Sequence, residues 1–122
     1  MGSHPANLVL RFVLELVALG TFGWWGLGVA HPVFRWVLML ALPILAAALW
    51  ATFAVPNDPS RSGKTVVATP GWLRLIGELG FFAAAAGALA HRGETTFALV
   101  VASVVVVHYV LSYDRVAWLL RH

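Results

Sequence analysis

Apolar runs dominate this chain, and four of them are long enough to cross the hydrocarbon of a bilayer: residues 8–29, 34–55, 72–90 and 95–113. A crossing needs about 20 mostly apolar residues, so little chain is left outside the runs. Each run predicts a helix, because in lipid every backbone N–H and C=O must be paired within its own segment. That constraint decides the fourth run, where Val100-Val101 and Val104-Val105-Val106-Val107 favour a strand by soluble propensity. The expected fold is an all-α membrane protein, four transmembrane helices in an antiparallel bundle. It forms one domain over residues 1–122, with residues 56–71 as a cytoplasmic loop.

Local signals set the boundaries. Asn7 is an acceptable N-cap for the first helix, which ends among Gly26, Gly28 and His31-Pro32. Gly20, Gly23 and Gly26 give that helix a small-residue surface on which a neighbour can approach closely. Trp24 and Trp25 fit an aromatic belt at the outer interface. Pro43 interrupts the hydrogen-bond ladder of the second helix, which stops at Val55-Pro56. The stretch Asn57-Asp58-Pro59-Ser60-Arg61-Ser62-Gly63-Lys64 is the one extended polar segment and predicts a mobile loop. Pro70-Gly71-Trp72 opens the third helix, whose Ala83-Ala84-Ala85-Ala86-Gly87 tract suits tight packing. His91-Arg92-Gly93 makes a short outer turn. Tyr109, Tyr113 and Trp118 supply an inner belt, and Asp114 to His122 an interfacial tail.

Composition agrees. Of 122 residues, 61% are hydrophobic and 11% charged, against about 25% charged in soluble domains. Gly28-Val29-Ala30 loosely resembles a signal-peptide cleavage site, but the first run is too long and carries Arg11 and Glu15 within it. The chain has no cysteine, which excludes disulfides, thiol catalysis and cysteine-ligated metal. Its net charge of +3 sits in short loops and at span ends rather than in a basic stripe with interleaved aromatics, so nucleic acid is not an expected partner. Arg11, Arg61, Lys64, Arg74, Arg115 and Arg121 fall on the side of both termini, and Arg35 and Arg92 on the other. By the positive-inside rule both termini are cytoplasmic, in the inner (plasma) membrane.

Two of the runs open on one charged signature, Leu10-Arg11-Phe12-Val13-Leu14-Glu15-Leu16 and Leu73-Arg74-Leu75-Ile76-Gly77-Glu78-Leu79. Arg and Glu within a span cost roughly 2.5–3.5 kcal/mol each on insertion scales, so a partner or a task must retain them. Residues four apart share a helix face, yet Arg before Glu is the weaker order for a pair within one helix. Pairing between helices is therefore expected, Arg11 with Glu78 and Arg74 with Glu15. The common offset, 74 minus 11 and 78 minus 15, suggests two helical hairpins related by a pseudo-twofold axis along the membrane normal.

At a rise of about 1.5 Å per residue, Glu15 and Glu78 lie roughly 9–10 Å inside the cytoplasmic boundary, level with Trp50 and His108. Ser112 and Arg115 continue the His108 face. Arg11, Glu15, Trp50, Arg74, Glu78 and His108 are thus the candidate ligand-binding or proton-carrying residues. No Glu-x-x-His pair of the diiron kind occurs, and the arginines oppose a bound cation, so neither metal nor cofactor is expected.

Asn7, Leu10-Arg11-Phe12, Leu14-Glu15-Leu16, Trp25-Gly26, Pro43, Trp50-Ala51-Thr52-Phe53-Ala54-Val55-Pro56, Pro70, Arg74 and Glu78 together resemble the YrdB-like family of small bacterial membrane proteins. At the end of the second run that family's pattern resembles W-G-x-F-x-A-P, where this chain has Ala51 and Val55. The resemblance implies a four-span inner-membrane protein and supplies no catalytic residues. Three functions compete. The charged layer binds or transports a small solute or ion, in an oligomer because four short helices enclose little space. Alternatively Glu15 or Glu78 works with His108 as acid and base on a lipophilic substrate, with Trp50 as a wall. Or the Arg/Glu quartet only holds the bundle together. An apolar lateral opening beside the carboxylates would favour the second.

Overall fold

The computed structural model describes residues 4–29, 32–58 and 65–122. Ala30, His31, Arg61 and Lys64, used above to place boundaries and orientation, lie outside the described residues, as does the middle of the polar loop.

Five helices make up nearly all of it: α1 (Pro5–Val29), α2 (Arg35–Thr52), α3 (Gly71–His91), α4 (Thr95–Leu111) and α5 (Tyr113–Arg121). Three of them, α1 to α3, are long and apolar enough to cross a membrane, and α4 qualifies only together with α5, from which it is bent by 71°. The fourth run thus ends at Leu111. Ser112 then turns the chain so that the tail becomes an amphipathic helix of its own. α3 begins where Pro70-Gly71 predicts. α1 instead opens at Pro5, placing Asn7 inside the helix rather than at its cap. Proline is well suited to a first turn, and the Asn7 side chain makes tertiary bonds instead.

Two elements were not anticipated. β1 (Phe53–Ala54) and β2 (Val67–Ala68) form a parallel pair, extended by Thr69 N–H donating to Ala54 O at 2.8 Å. The pair closes the loop expected over residues 56–71 onto the end of α2, which stops at Thr52, three residues short of the apolar run.

Packing follows from small residues. Gly23 faces Met39 and Pro43, while Gly26 faces Leu38 and Leu42, so α2 runs opposite to α1. A methyl on Gly23 would stand 2.8 Å from the Met39 carbonyl, which is why these positions cannot be larger. Arg11 meets Glu78 and Trp25 meets His91, so α1 and α3 run in the same direction. Gly93, at φ +84°, makes the turn into α4 in a conformation that glycine adopts without strain.

The buried residues fall on one stripe per helix at three- and four-residue spacing: Arg11, Leu14 and Ala18 on α1, Arg74, Glu78, Phe82 and Ala85 on α3, and Val105 and His108 on α4. Each stripe is apolar in its middle and charged or polar at one pole of the molecule. The outward surface is the reverse of a water-soluble domain, with Phe12, Trp36, Ile44, Leu99 and Val110 all more than half exposed. α2 buries none of its residues.

Gly71 packs so tightly against the Leu119 backbone that a Cβ there would collide with its carbonyl. Gly71→Ala should therefore lift α5 and lower stability by about 1–3 kcal/mol, the usual cost of overpacking. Denaturant unfolding in mild detergent, with hydrogen exchange over residues 113–121, measures both.

Candidate functional site

At the polar pole one carboxylate organises everything near it. Glu78, 1% exposed, accepts through Oε2 from Arg74 Nε at 2.7 Å, Arg115 Nη2 at 2.8 Å and Arg11 Nη2 at 3.3 Å. Its Oε1 accepts from Tyr109 Oη at 2.7 Å and Arg115 Nη1 at 2.8 Å. Arg115 thus grips the carboxylate with both arms of its fork, the strongest geometry available to such a pair. A carboxylate offers about four lone-pair sites, and five donors occupy them.

Each arginine also reaches outward. Arg74 Nη1 donates to the carbonyls of Trp50 and Phe53, both at 2.6 Å, satisfying the open end of α2. Arg115 Nη2 donates to Asp58 Oδ2 at 2.8 Å, tying down the start of the polar loop. Arg11 Nε stands 3.3 Å from Glu15 Oε1. Three guanidiniums therefore face three carboxylates, Glu15, Glu78 and Asp58, and the cluster closes without net charge. Burial opposes the charge on Arg115, and its bonds and attraction to Glu78 and Asp58 outweigh that, holding it above its ordinary range.

Trp50 underlies the cluster, its ring 4.4 Å from the Arg74 guanidinium and 5.4 Å from that of Arg11, within cation–π range. Its other neighbours are Phe81 and Phe82, with centroids at 4.6 and 5.6 Å. His108 is drawn in from a different side. Its Nδ1 lies 2.9 Å from Asn7 Oδ1, and Asn7 Nδ2 donates to Ser112 Oγ at 2.6 Å. This chain stitches α1 to the bend between α4 and α5.

The six residues singled out from sequence gather at one pole, with differences in detail. Arg11 reaches Glu78 across helices as expected. The reciprocal Arg74–Glu15 pair does not occur among the described salt bridges, and Arg74 pairs with Glu78 in its own helix. The reason is competition: Arg74 turns toward the carbonyls at the end of α2 and pairs with Glu78 from there. Glu15 is left at the edge, 22% exposed at its side chain. Arg115, Asp58, Tyr109 and Asn7 belong to the network although sequence reasoning assigned them to a tail, a loop, a belt and a cap. The Arg115 position was legible in part, since it continues the His108 face.

A cavity of about 490 Å³ lies against this cluster between α2 and α3. Its walls are nearly all apolar, with Leu49, Trp50 and Phe53 on one side and Leu73, Gly77 and Phe81 on the other, and Arg74 and Glu78 behind them. A second, separate hollow of about 330 Å³ adjoins it on the side of the opposite pole, with Phe22 and Ala84 between the two. There Arg92 Nη1 donates to Trp24 O at 2.8 Å, and Trp25 Nε1 to His91 Nδ1 at 3.2 Å.

Fold and site define a class: a small, overwhelmingly helical protein with several apolar helices compatible with a membrane, and a charge cluster buried at one end. The chain belongs to the family described as Protein of unknown function (DUF2568), which it matches over residues 9–106. It is 43% identical over 121 residues to the Uncharacterized protein YrdB of Bacillus subtilis (strain 168), covering 97% of this chain and 96% of that relative. No solved structure matches it. The resemblance seen in the sequence is thereby shown. The matched span includes Arg11, Glu15, Trp50, Arg74 and Glu78, and ends before His108.

Removing the central carboxylate leaves three buried guanidiniums facing one another. Glu78→Gln should cost about 3–5 kcal/mol, the usual penalty for breaking a buried pair. Glu15→Gln, at the edge of the same network, should cost about 1 kcal/mol or less, as a partly exposed pair does. Unfolding of the two variants in detergent, side by side with the parent protein, compares them.

Proposed function

We propose that this is an integral plasma-membrane protein that binds a small lipophilic molecule in the cleft between α2 and α3, beside a charge cluster that holds the cleft in shape. The observation that carries this reading is the cavity, large enough for a small ligand, apolar in its walls and open sideways between two outward-facing apolar helices. A molecule reaching it comes from the hydrocarbon of the bilayer, not from water.

Of the six residues, Trp50, Arg74 and Glu78 line the cleft, whereas Arg11, Glu15 and His108 support it from behind. This favours binding over transport of an ion, because the charges are spent on one another. It also weighs against acid–base chemistry at Glu78, whose oxygens would have to release an arginine or Tyr109 before accepting a proton. The cleft would admit a lipophilic substrate, but Glu15, the more exposed carboxylate of the cluster, is not among its lining residues.

Four crossings, with both termini on one side, follow if α4 spans and α5 lies along the interface, and the excess of Arg and Lys on that side makes it the cytoplasmic one. The absence of cysteine makes this directly testable. Single cysteines at Val66 and His122 should react with an impermeant maleimide only in opened cells, and one at Glu94 in intact cells. The opposite pattern would reverse the orientation.

The binding reading is tested by native mass spectrometry of the protein released from detergent. The parent should carry an apolar adduct, and Gly77→Phe, which fills the cleft from a position where an added Cβ meets nothing within 4 Å, should lose it. A parent protein free of adducts in every detergent tried would overturn the proposal.

A further inference from the structure

We infer that the cleft holds one hydrocarbon chain of a membrane amphiphile, taken from the leaflet on the side of the charge cluster. This rests on the binding reading above and adds to it the class of ligand and its direction.

Three observations converge on a chain rather than a compact molecule. The first is length. Along α3 the cavity extends from Leu73 to Ala84, which at about 1.5 Å per residue is roughly 16 Å. The hydrocarbon core is about 30 Å thick, so the cavity matches the depth of one leaflet. It stops at Phe22 and Ala84, where the second hollow begins.

The second is the chemistry of the wall. Charged groups stand at its polar end, and nearly all of their bonding capacity is taken, with Arg74 Nη2 as one buried donor without a hydrogen-bond partner among the described residues. Glu78 has its oxygens filled by five donors, the Arg74 guanidinium is laid over Trp50, and the cluster as a whole is neutral. A ligand polar along its length would be desolvated with a single donor to answer it, whereas a hydrocarbon chain with one polar end has no such requirement.

The third is the position of the polar end. The cavity begins at Phe53 and Thr69, residues of the strand pair and its extension, where the chain leaves its apolar helices. Thr69 Oγ1 donates to Val67 O at 3.2 Å and keeps its own lone pairs. A chain lying against α3 would therefore have its head at this end and its tail at Ala84, the same direction as a lipid of that leaflet. Gly77, at mid-cavity, is what leaves the room.

The test is photo-labelling of the full chain in nanodiscs of phosphatidylethanolamine and phosphatidylglycerol. One set carries a phospholipid with a diazirine in one acyl chain, a second a diazirine fatty acid, and a third a compact adamantyl diazirine. The expected result is labelling of peptides from residues 46–53 and 73–84 by a chain probe, reduced to background by Gly77→Phe and unchanged by Gly80→Phe. Gly80 is equally open but does not line the cavity. Whichever chain probe labels identifies the source, esterified or free. Equal chain labelling in the parent and Gly77→Phe means annular lipid and overturns the inference. Labelling by the adamantyl probe alone, blocked by Gly77→Phe, overturns the chain and leaves the binding reading standing. If no probe responds to Gly77→Phe, both fall. Loss of a dimer in that variant, without chain labelling in the parent, would assign the cleft to a second copy and likewise overturn the inference.

Discussion

The structure depends on a buried carboxylate that no single helix could keep. Glu78 in isolation would be costly in a low-dielectric interior, and its burial is tolerable because guanidiniums from α1, from its own helix and from α5 converge on it with Tyr109 of α4. Desolvation of four ionised groups is a large debt, which attraction offsets only when the geometry is good and the leftover donors find acceptors. Here two of the outward-reaching donors do more than find acceptors, while Arg74 Nη2 stays buried without a hydrogen-bond partner among the described residues. One arm of Arg74 closes the end of α2 and one arm of Arg115 anchors Asp58, so the ion cluster fixes the positions of the loop and of the last helix.

The lateral cleft is a consequence of how α2 is held. At one pole the glycines of α1 admit it to close range, and at the other Arg74 secures its last carbonyls. Between those points it faces α3 across small residues, Gly77 and Ala84, which fill no space. In water such a gap would collapse or be covered. In a bilayer, the setting proposed above, there is no drive to close it, and a half-open hollow beside an apolar exterior is then a stable arrangement.

Much of this was legible from patterning. The lengths of the apolar runs locate the helices, since a run read as a crossing leaves the backbone no alternative to a helix. The paired charged signatures located the cluster, since Arg and Glu at that depth need partners, and the Arg11–Glu78 contact follows from pairing two such faces. What could not be read is the part that depends on bends. Arg115 sits in a polar tail and joins the cluster only because the chain turns at Ser112. Asp58 is one acidic residue in a loop of polar ones, and the two-residue strands are too short to leave any periodicity. The symmetric pairing also fails for a reason outside the motif: the end of α2 claims Arg74.

The order of residues along the chain adds a constraint in time. Glu78 is made 37 residues before Arg115, and at about 5–20 residues per second that interval is roughly 2 to 7 s. During it α3 carries its carboxylate with Arg11 and Arg74 to answer it, and Asp58 at the start of the loop lacks its bond from Arg115. The fork that completes the cluster arrives last among its members, so closing of the cluster waits for α5. An interrupted chain would have every apolar helix in place and still lack the residue that locks them.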